Sequence, residues 1–235
     1  MKVSNPKWLF FDTIADAHTA QKEMAEKVSL IDEVKHPINT IAGMDVSNTP
    51  FDPEQMIFGA VVVASYPSLT ILETATESIK QTFPYVPGLL GFREVPSLIN
   101  AFSKLSLLPD LIMVDGHGIS HPRGLGVASH LGVLLDIPTI GVAKSILVGK
   151  PASPLPEEPG SMVSLLWKGK EIGMLLRTKK RCSPLIISTG HKITLKSAVE
   201  LVISCQKRHR LPEPTRYAHL AANACRKDFA LVASC

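Results

Sequence analysis

At 235 residues, 45% hydrophobic and 20% charged, the chain can close one sizeable core and is too apolar for disorder. Its formal charge of +4 and pI near 8.9 are compatible with a polyanionic partner but do not require one. Four cysteines, all at or after position 182 and without CxxC spacing, argue against a zinc module or a disulfide framework. The apolar run Trp8–Phe11 is too short for a signal peptide, and no stretch reaches the roughly 18 apolar residues of a membrane span. A reduced, cytoplasmic protein is expected, with no membrane partner and a monomer as the default.

In chain order, Ile14, Ala17, Ala20, Met24 and Val28 keep helical spacing and predict an amphipathic helix within residues 12–34, part of an N-terminal helical segment (1–35). The β-branched runs 40–46, 56–65 and 68–74, separated by turn-rich segments, predict an antiparallel three-strand meander. Pro96 suits a first helical turn and predicts a helix from 96 to about 104, with Glu94 just ahead of it. Residues 111–115 and 137–143 flank a helical pattern at 124–135, so strand, helix and strand form a parallel βαβ unit and the sheet is mixed. The proline-rich stretch 150–160 reads as a surface loop, followed by a strand pair, 163–167 and 171–177, joined through Gly169. Helices are predicted from 195 to about 209 and from Thr215, a good N-cap residue, to about 229. The whole reads as one α/β catalytic domain with a short tail at 230–235.

Asp45, Glu94 and Asp115 are acids set among apolar or glycine-rich neighbours. A carboxylate beside a buried strand costs several kcal/mol unless a cation or strong donors compensate. Acids on a first and a later strand suit a site for Mg²⁺, which takes oxygen ligands and whose pairs, held ~4 Å apart, stabilise both oxygens of an in-line phosphoryl displacement. Taken singly, Asp45 reads equally well as a solvent-facing acid on an edge strand; Asp115 is less ambiguous, with an ordinary Asp115-Gly116 turn as the lesser alternative.

Five blocks in order resemble the endonuclease V family: residues 41–47, 81–99, 114–144, 176–202 and 209–221, among them PYVPGLLGFREVP and VDGHGISHPRGLG. The resemblance implies a ribonuclease H-like fold, a mixed β-sheet flanked by helices. It implies a Mg²⁺-dependent nuclease, with Mn²⁺ able to substitute, that cuts at the second phosphodiester 3′ to inosine and leaves 3′-hydroxyl and 5′-phosphate ends in DNA repair. Asp45 and Asp115 become the principal metal carboxylates, and Glu94 completes the acidic site. His219 takes the place near the metal and attacking water, and Lys144 faces the scissile phosphate; as bare residues, they read more readily as a packed helical histidine and a solvated strand end.

Tyr85, stiffened by Pro84 and Pro87, takes the family's place of a strand-separating wedge, although a core anchor fits the sequence as well. Gly88, Gly116 and Gly118 fall where the family lines a base pocket with backbone, Leu90 where it supplies an apolar wall, and His121 near the centre. Turn geometry is the ordinary alternative for each glycine. The basic runs 179–181 and Lys207, Arg208 and Arg210 could track phosphates or simply face solvent. The loop after Asp45 is longer than is usual for the family, with Asn48 where an aromatic is common.

Two other classes compete. A non-catalytic nucleic-acid-binding module would be marked by loss of an acid, and all three are present. A metal-independent hydrolase would need Ser120 or Ser129 with a histidine, and no Gly-x-Ser-x-Gly elbow exists; a P-loop is absent as well. His117 and His121 are separated by glycine-rich chain that does not build a helical zinc face. Inosine-containing DNA is the expected partner and RNA an alternative, since a 2′-hydroxyl contact is not legible in one sequence.

Overall fold

The computed structural model describes residues 8, 9, 11, 13–49 and 52–233. Helix α1 (Ile14–Ala25), capped by the Thr13 side chain accepting from the Asp16 amide, leads into the meander β1 (Thr40–Asn48), β2 (Met56–Ser65) and β3 (Ile71–Lys80). Next come α2 (Leu90–Ser103), β4 (Leu111–Val114), α3 (Val127–Leu135) and β5 (Thr139–Ala143). The two-residue β6 (Lys150–Pro151), β7 (Met162–Trp167), β8 (Lys170–Leu176) and β9 (Leu185–His191) follow, and α4 (Leu195–Ser204) and α5 (Glu213–Ala233) end the description.

These strands form a nine-stranded sheet in the order β3-β2-β1-β4-β5-β9-β8-β7-β6. β1, β4 and β5 run parallel at its centre, with antiparallel strands on both sides, so the expected mixed sheet is present. Successive residues of a strand face opposite sides. Ala42, Met44, Ile112 and Val114 join a core shared with α1, α2 and α3, while Ile41, Leu111, Met113, Ile140 and Val142 join a second core with α4. α5 crosses the second face over β1. It lies close there because a Cβ on Gly43 would run into the Pro214 backbone, and because Ala218 and Ala222 are small and wholly buried.

Several element boundaries differ from those expected. Helix α2 begins at Leu90, so Glu94 lies inside it and Pro96 in its interior. An interior proline costs ~3 kcal/mol, but the buried stripe Phe92, Val95, Leu98, Ile99 and Phe102 runs straight through it, and core burial outweighs that cost. β3 starts at Ile71 and continues to Lys80, because Ser68 and Leu69 belong to the turn and the polar stretch TESIK pairs with β2 as a half-exposed edge. Thr215 is no N-cap: its hydroxyl donates to Pro212 O at 3.1 Å, and the helix starts two residues earlier, with Pro214 in its first turn. Helix α4 stops at Ser204 rather than near His209. Helix α1 ends at Ala25, and α3 begins only after the loop Gly124–Gly126, tied by the Gly126 amide to Gly118 O. Of the expected tail, residues 234–235 lie outside the description, as do 1–7, 10 and 12 of the N-terminal segment.

Candidate active site

Asp45 sits on β1 and Asp115 one residue past the end of β4. The parallel register pairs Met44 with Val114, and the Asp115 amide donates to Met44 O at 2.9 Å. Both carboxylates therefore leave the same face of adjacent strands, the face that α5 crosses. Asp45 is buried, at 8% exposed. Its Oδ1 accepts from the Val46 amide at 2.8 Å, and its Oδ2 meets His219 Nδ1 of α5 at 2.8 Å. Lys144, directly after β5, pairs through Nζ with Asp115 Oδ2. Among the described residues, Asp45, Asp115 and His219 bring one potential ligand atom each to within 4.8 Å of one another.

Glu94 projects from α2 and is half-buried; it stands outside that mutually close set but within electrostatic reach of it. Burial, then the charges of Asp45 and Asp115, push its carboxyl up to about 8. Burial, then the charge of Asp115, raise Asp45 to about 6, against the opposing pull of His219 and Lys144. Carboxylates crowded in this way with one ammonium between them are short of positive charge. A hard, oxygen-seeking divalent cation fits that deficit and that donor set, with Asp45 and Asp115 as its natural holders.

Tyr85 is 69% exposed at the tip of the loop between β3 and α2. The loop's base is braced. Gln81 Oε1 accepts from the amides of Thr82 and Phe83 at 2.8 and 2.9 Å, Gln81 Nε2 donates to Arg93 O, and Arg93 Nη1 donates to Phe83 O at 2.9 Å. Gly88, at φ +79°, has its carbonyl held by Gln21 Nε2 and Arg123 Nη2, both at 2.8 Å, and Arg123 Nε in turn bonds Gln21 Oε1. Leu90 is 42% exposed at the start of α2. His121 is buried beside Gly88, and burial followed by the charge of Arg123 lowers it to about 4, so its ring is neutral at pH 7.

The two glycines after Asp115 differ. Gly116 is half-buried, and a Cβ there would meet only Val127 at an ordinary 3.5 Å. Gly118 is buried against β9, where a Cβ would strike the Thr189 carbonyl; its amide donates to Ser188 Oγ at 2.9 Å and its carbonyl accepts from Gly126. Its backbone groups are thus engaged in the fold. Ser120 is wholly buried, with Oγ bonded to Ser188 Oγ at 2.9 Å and to His117 Nδ1 at 2.8 Å, and Ser129 is wholly buried in α3. Neither hydroxyl can meet a substrate. Lys179, Lys180, Arg181, Lys207 and Arg208 are exposed, but Arg210 is a clasp, donating to Ser183 O, Pro184 O and Lys144 O at 2.9, 3.1 and 2.9 Å.

Sequence reasoning does not find Gln21, Gln81, Arg93 and Arg123, which brace the Tyr85–Gly88 loop, or Asn223, which bonds His219. Gln21 and Arg123 meet Gly88 from 67 and 35 residues away, separations at which no periodicity speaks. Asn223 had a signal: it follows His219 by four residues, one turn along the same helix face.

Parallel central strands with an antiparallel meander on one side, and one carboxylate on β1 beside another just past the end of β4, define a ribonuclease H-like protein with an acid-centred site. The family model for Endonuclease V matches residues 22–220. The chain is 54% identical over 224 residues to Endonuclease V of Protochlamydia amoebophila, covering 95% of each chain, and 51% identical over 224 residues to that of Rhodospirillum centenum, covering 94% of this chain and 91% of the relative. Its structure is similar to that of Endonuclease V from Bacillus subtilis, with a TM-score of 0.91 and 30% identity across 98% of this chain and 99% of the other. It is also similar to Ciona intestinalis Endonuclease V in complex with a 24mer DNA containing an inosine followed by a ribo-adenosine, with a TM-score of 0.77 and 28% identity across 93% and 98%. The chain belongs to the endonuclease V family and is an endonuclease. None of its described helices is long and apolar enough to cross a membrane.

Proposed function

We propose that this endonuclease recognises inosine in DNA and hydrolyses the second phosphodiester bond 3′ to it, leaving a 3′-hydroxyl and a 5′-phosphate. It acts as a monomeric single catalytic domain with Mg²⁺, for which Mn²⁺ can substitute. The observation that carries this reading is the juxtaposition of Asp45 and Asp115 on one sheet face, with Lys144 and His219 as their counter-groups.

In this reading Asp45 and Asp115 hold the divalent cation, and Glu94 completes the acidic wall. The bound cation supplies charge stabilisation to the attacking and leaving oxygens of an in-line displacement. Lys144 presents its ammonium beside Asp115, where it can meet the scissile phosphate. Tyr85 stands out from a braced loop beside a cavity of about 550 Å³ lined in part by Asn48, Met56, Thr82 and Arg93, so its ring can enter a base stack without the loop giving way. Stacking on an aromatic contributes ~1–3 kcal/mol, enough to offset the few kcal/mol of unstacking that an already mispaired base requires. Gly88, Gly116, Leu90 and His121 line the place of the extruded base; Gly118 supports that wall from beneath, since its own amide and carbonyl are taken.

The ribo-adenosine that follows inosine in the Ciona ligand favours a second reading, in which the strand cut is RNA. Matched single strands carrying one inosine, as DNA, as RNA and as DNA with one ribonucleotide 3′ to the inosine, separate the two when product ends are mapped. Cutting of the DNA strand at the second bond 3′ to inosine supports the first reading; cutting only where a ribose 2′-hydroxyl is present establishes the second; indifference to inosine overturns both.

A further inference from the structure

Four side chains of β1 and α5 form a chain of hydrogen bonds whose direction is fixed at both ends. Arg226 has donors only, and its Nε donates to Ser47 Oγ at 3.0 Å. The Ser47 hydroxyl therefore spends its own hydrogen on Asn223 Oδ1, at 2.9 Å, and Arg226 Nη2 reaches the same oxygen at 3.4 Å. At the other end, Asn223 Nδ2 donates to the His219 carbonyl at 2.9 Å, a group that can only accept. Both ends orient the amide alike, with Nδ2 toward the imidazole, where it lies 3.1 Å from His219 Nε2. A donor facing Nε2 requires a lone pair there, so in the neutral ring the proton sits on Nδ1, aimed at Asp45 Oδ2 at 2.8 Å.

We infer that Asn223, set by Ser47 and Arg226, is a positioning residue that holds His219 as the Nδ1–H tautomer, so that His219 serves the site by orienting the Asp45 carboxylate rather than by offering a free ring nitrogen to a ligand. With Val46 N–H on Oδ1 and His219 Nδ1–H on Oδ2, both Asp45 oxygens are fixed and their remaining lone pairs point in set directions. The inference rests on the proposed role of Asp45 as a metal carboxylate.

Metal-free protein labelled with ¹⁵N-histidine reports the tautomer through two-bond ring correlations, with His219 assigned by its loss in His219→Ala. The wild type should show Nδ1 protonated and Nε2 unprotonated. Asn223→Asp, which cannot donate, should move the proton toward Nε2, and Asn223→Ala should leave a mixture. Both replacements should lower kcat about 10- to 100-fold, the usual effect of losing a group that orients a metal ligand, with KM for an inosine strand within about twofold. A wild-type ring protonated on Nε2, or a tautomer unmoved by Asn223→Asp, overturns the inference, and the wild-type spectrum needs no replacement to fold. If wild type fails to cut inosine strands while the tautomer is as stated, the proposed function fails and the bond network stands.

Discussion

Asp115 donates its amide hydrogen to the carbonyl of Met44, so its carboxylate emerges beside that of Asp45 on the same face of the sheet. The strand register, and no flexible loop, sets the distance between the two acids. The two acids have single side-chain counter-groups, Lys144 for Asp115 and His219 for Asp45, which leaves the pair under-neutralised.

Burial, reinforced by that crowding, makes stability fall as pH rises in metal-free protein. Asp45 is raised from 3.8 to about 6 and Glu94 from 4.5 to about 8, so between those limits the folded state retains protons that the unfolded chain has released. Unfolding then releases protons, and the stability these groups contribute is complete below about pH 4 and lost as pH rises toward 8. Thermal melts in EDTA should show a falling midpoint across this window, and Mg²⁺ should restore it most at the upper end. A midpoint that is flat across the window contradicts the assignment.

Asp45→Asn removes one of the mutually repelling charges and keeps the side-chain shape. The metal-free variant should be more stable at pH 7 by about 1 kcal/mol, read as a higher urea midpoint, while cleavage falls by about 100-fold or more. A variant that loses both stability and activity would make Asp45 structural.

Tyr85→Ala should leave the melting midpoint within a degree or so, because the ring is exposed. It should weaken inosine-strand binding by ~1–3 kcal/mol, about 5- to 150-fold, through lost stacking. Fluorescence anisotropy with inosine and adenosine strands measures both the affinity and the preference, and an unchanged preference removes the wedge.

The basic residues should divide into two kinds. Arg210→Ala unfastens three carbonyls, including that of Lys144, and should cost about 1–3 kcal/mol of stability. Replacing Lys179, Lys180 and Arg181 together should leave stability alone and flatten the dependence of binding on salt. Equal salt slopes for wild type and the triple variant would place those three residues outside the nucleic-acid path.

The mixed sheet, the meander and the position of Asp45 and Asp115 were legible because burial writes itself into strands as apolar runs, and Asp115 interrupts one at its end. β9 was not assigned from sequence: buried throughout, its LIISTGH carries no alternation and ends in polar residues. β3 was misplaced for the opposite reason, being a polar edge strand held by pairing to β2. Within the site, the acids announced themselves as charges in apolar surroundings, whereas Gln21, Arg123 and Asn223 are ordinary surface residue types whose roles arise from contacts made across the fold. Gly118 shows the limit of a glycine signal, since close packing on Thr189 accounts for it without a ligand.

The most direct test is cleavage of a duplex carrying a single inosine, beside its adenosine counterpart, in Mg²⁺ and in EDTA, by wild type, Asp45→Ala and Asp115→Ala. The geometry predicts an inosine-dependent nick by wild type in Mg²⁺ only and its loss in both variants. Equal cutting by either variant, or a nick that survives EDTA, would contradict a metal centre built on Asp45 and Asp115.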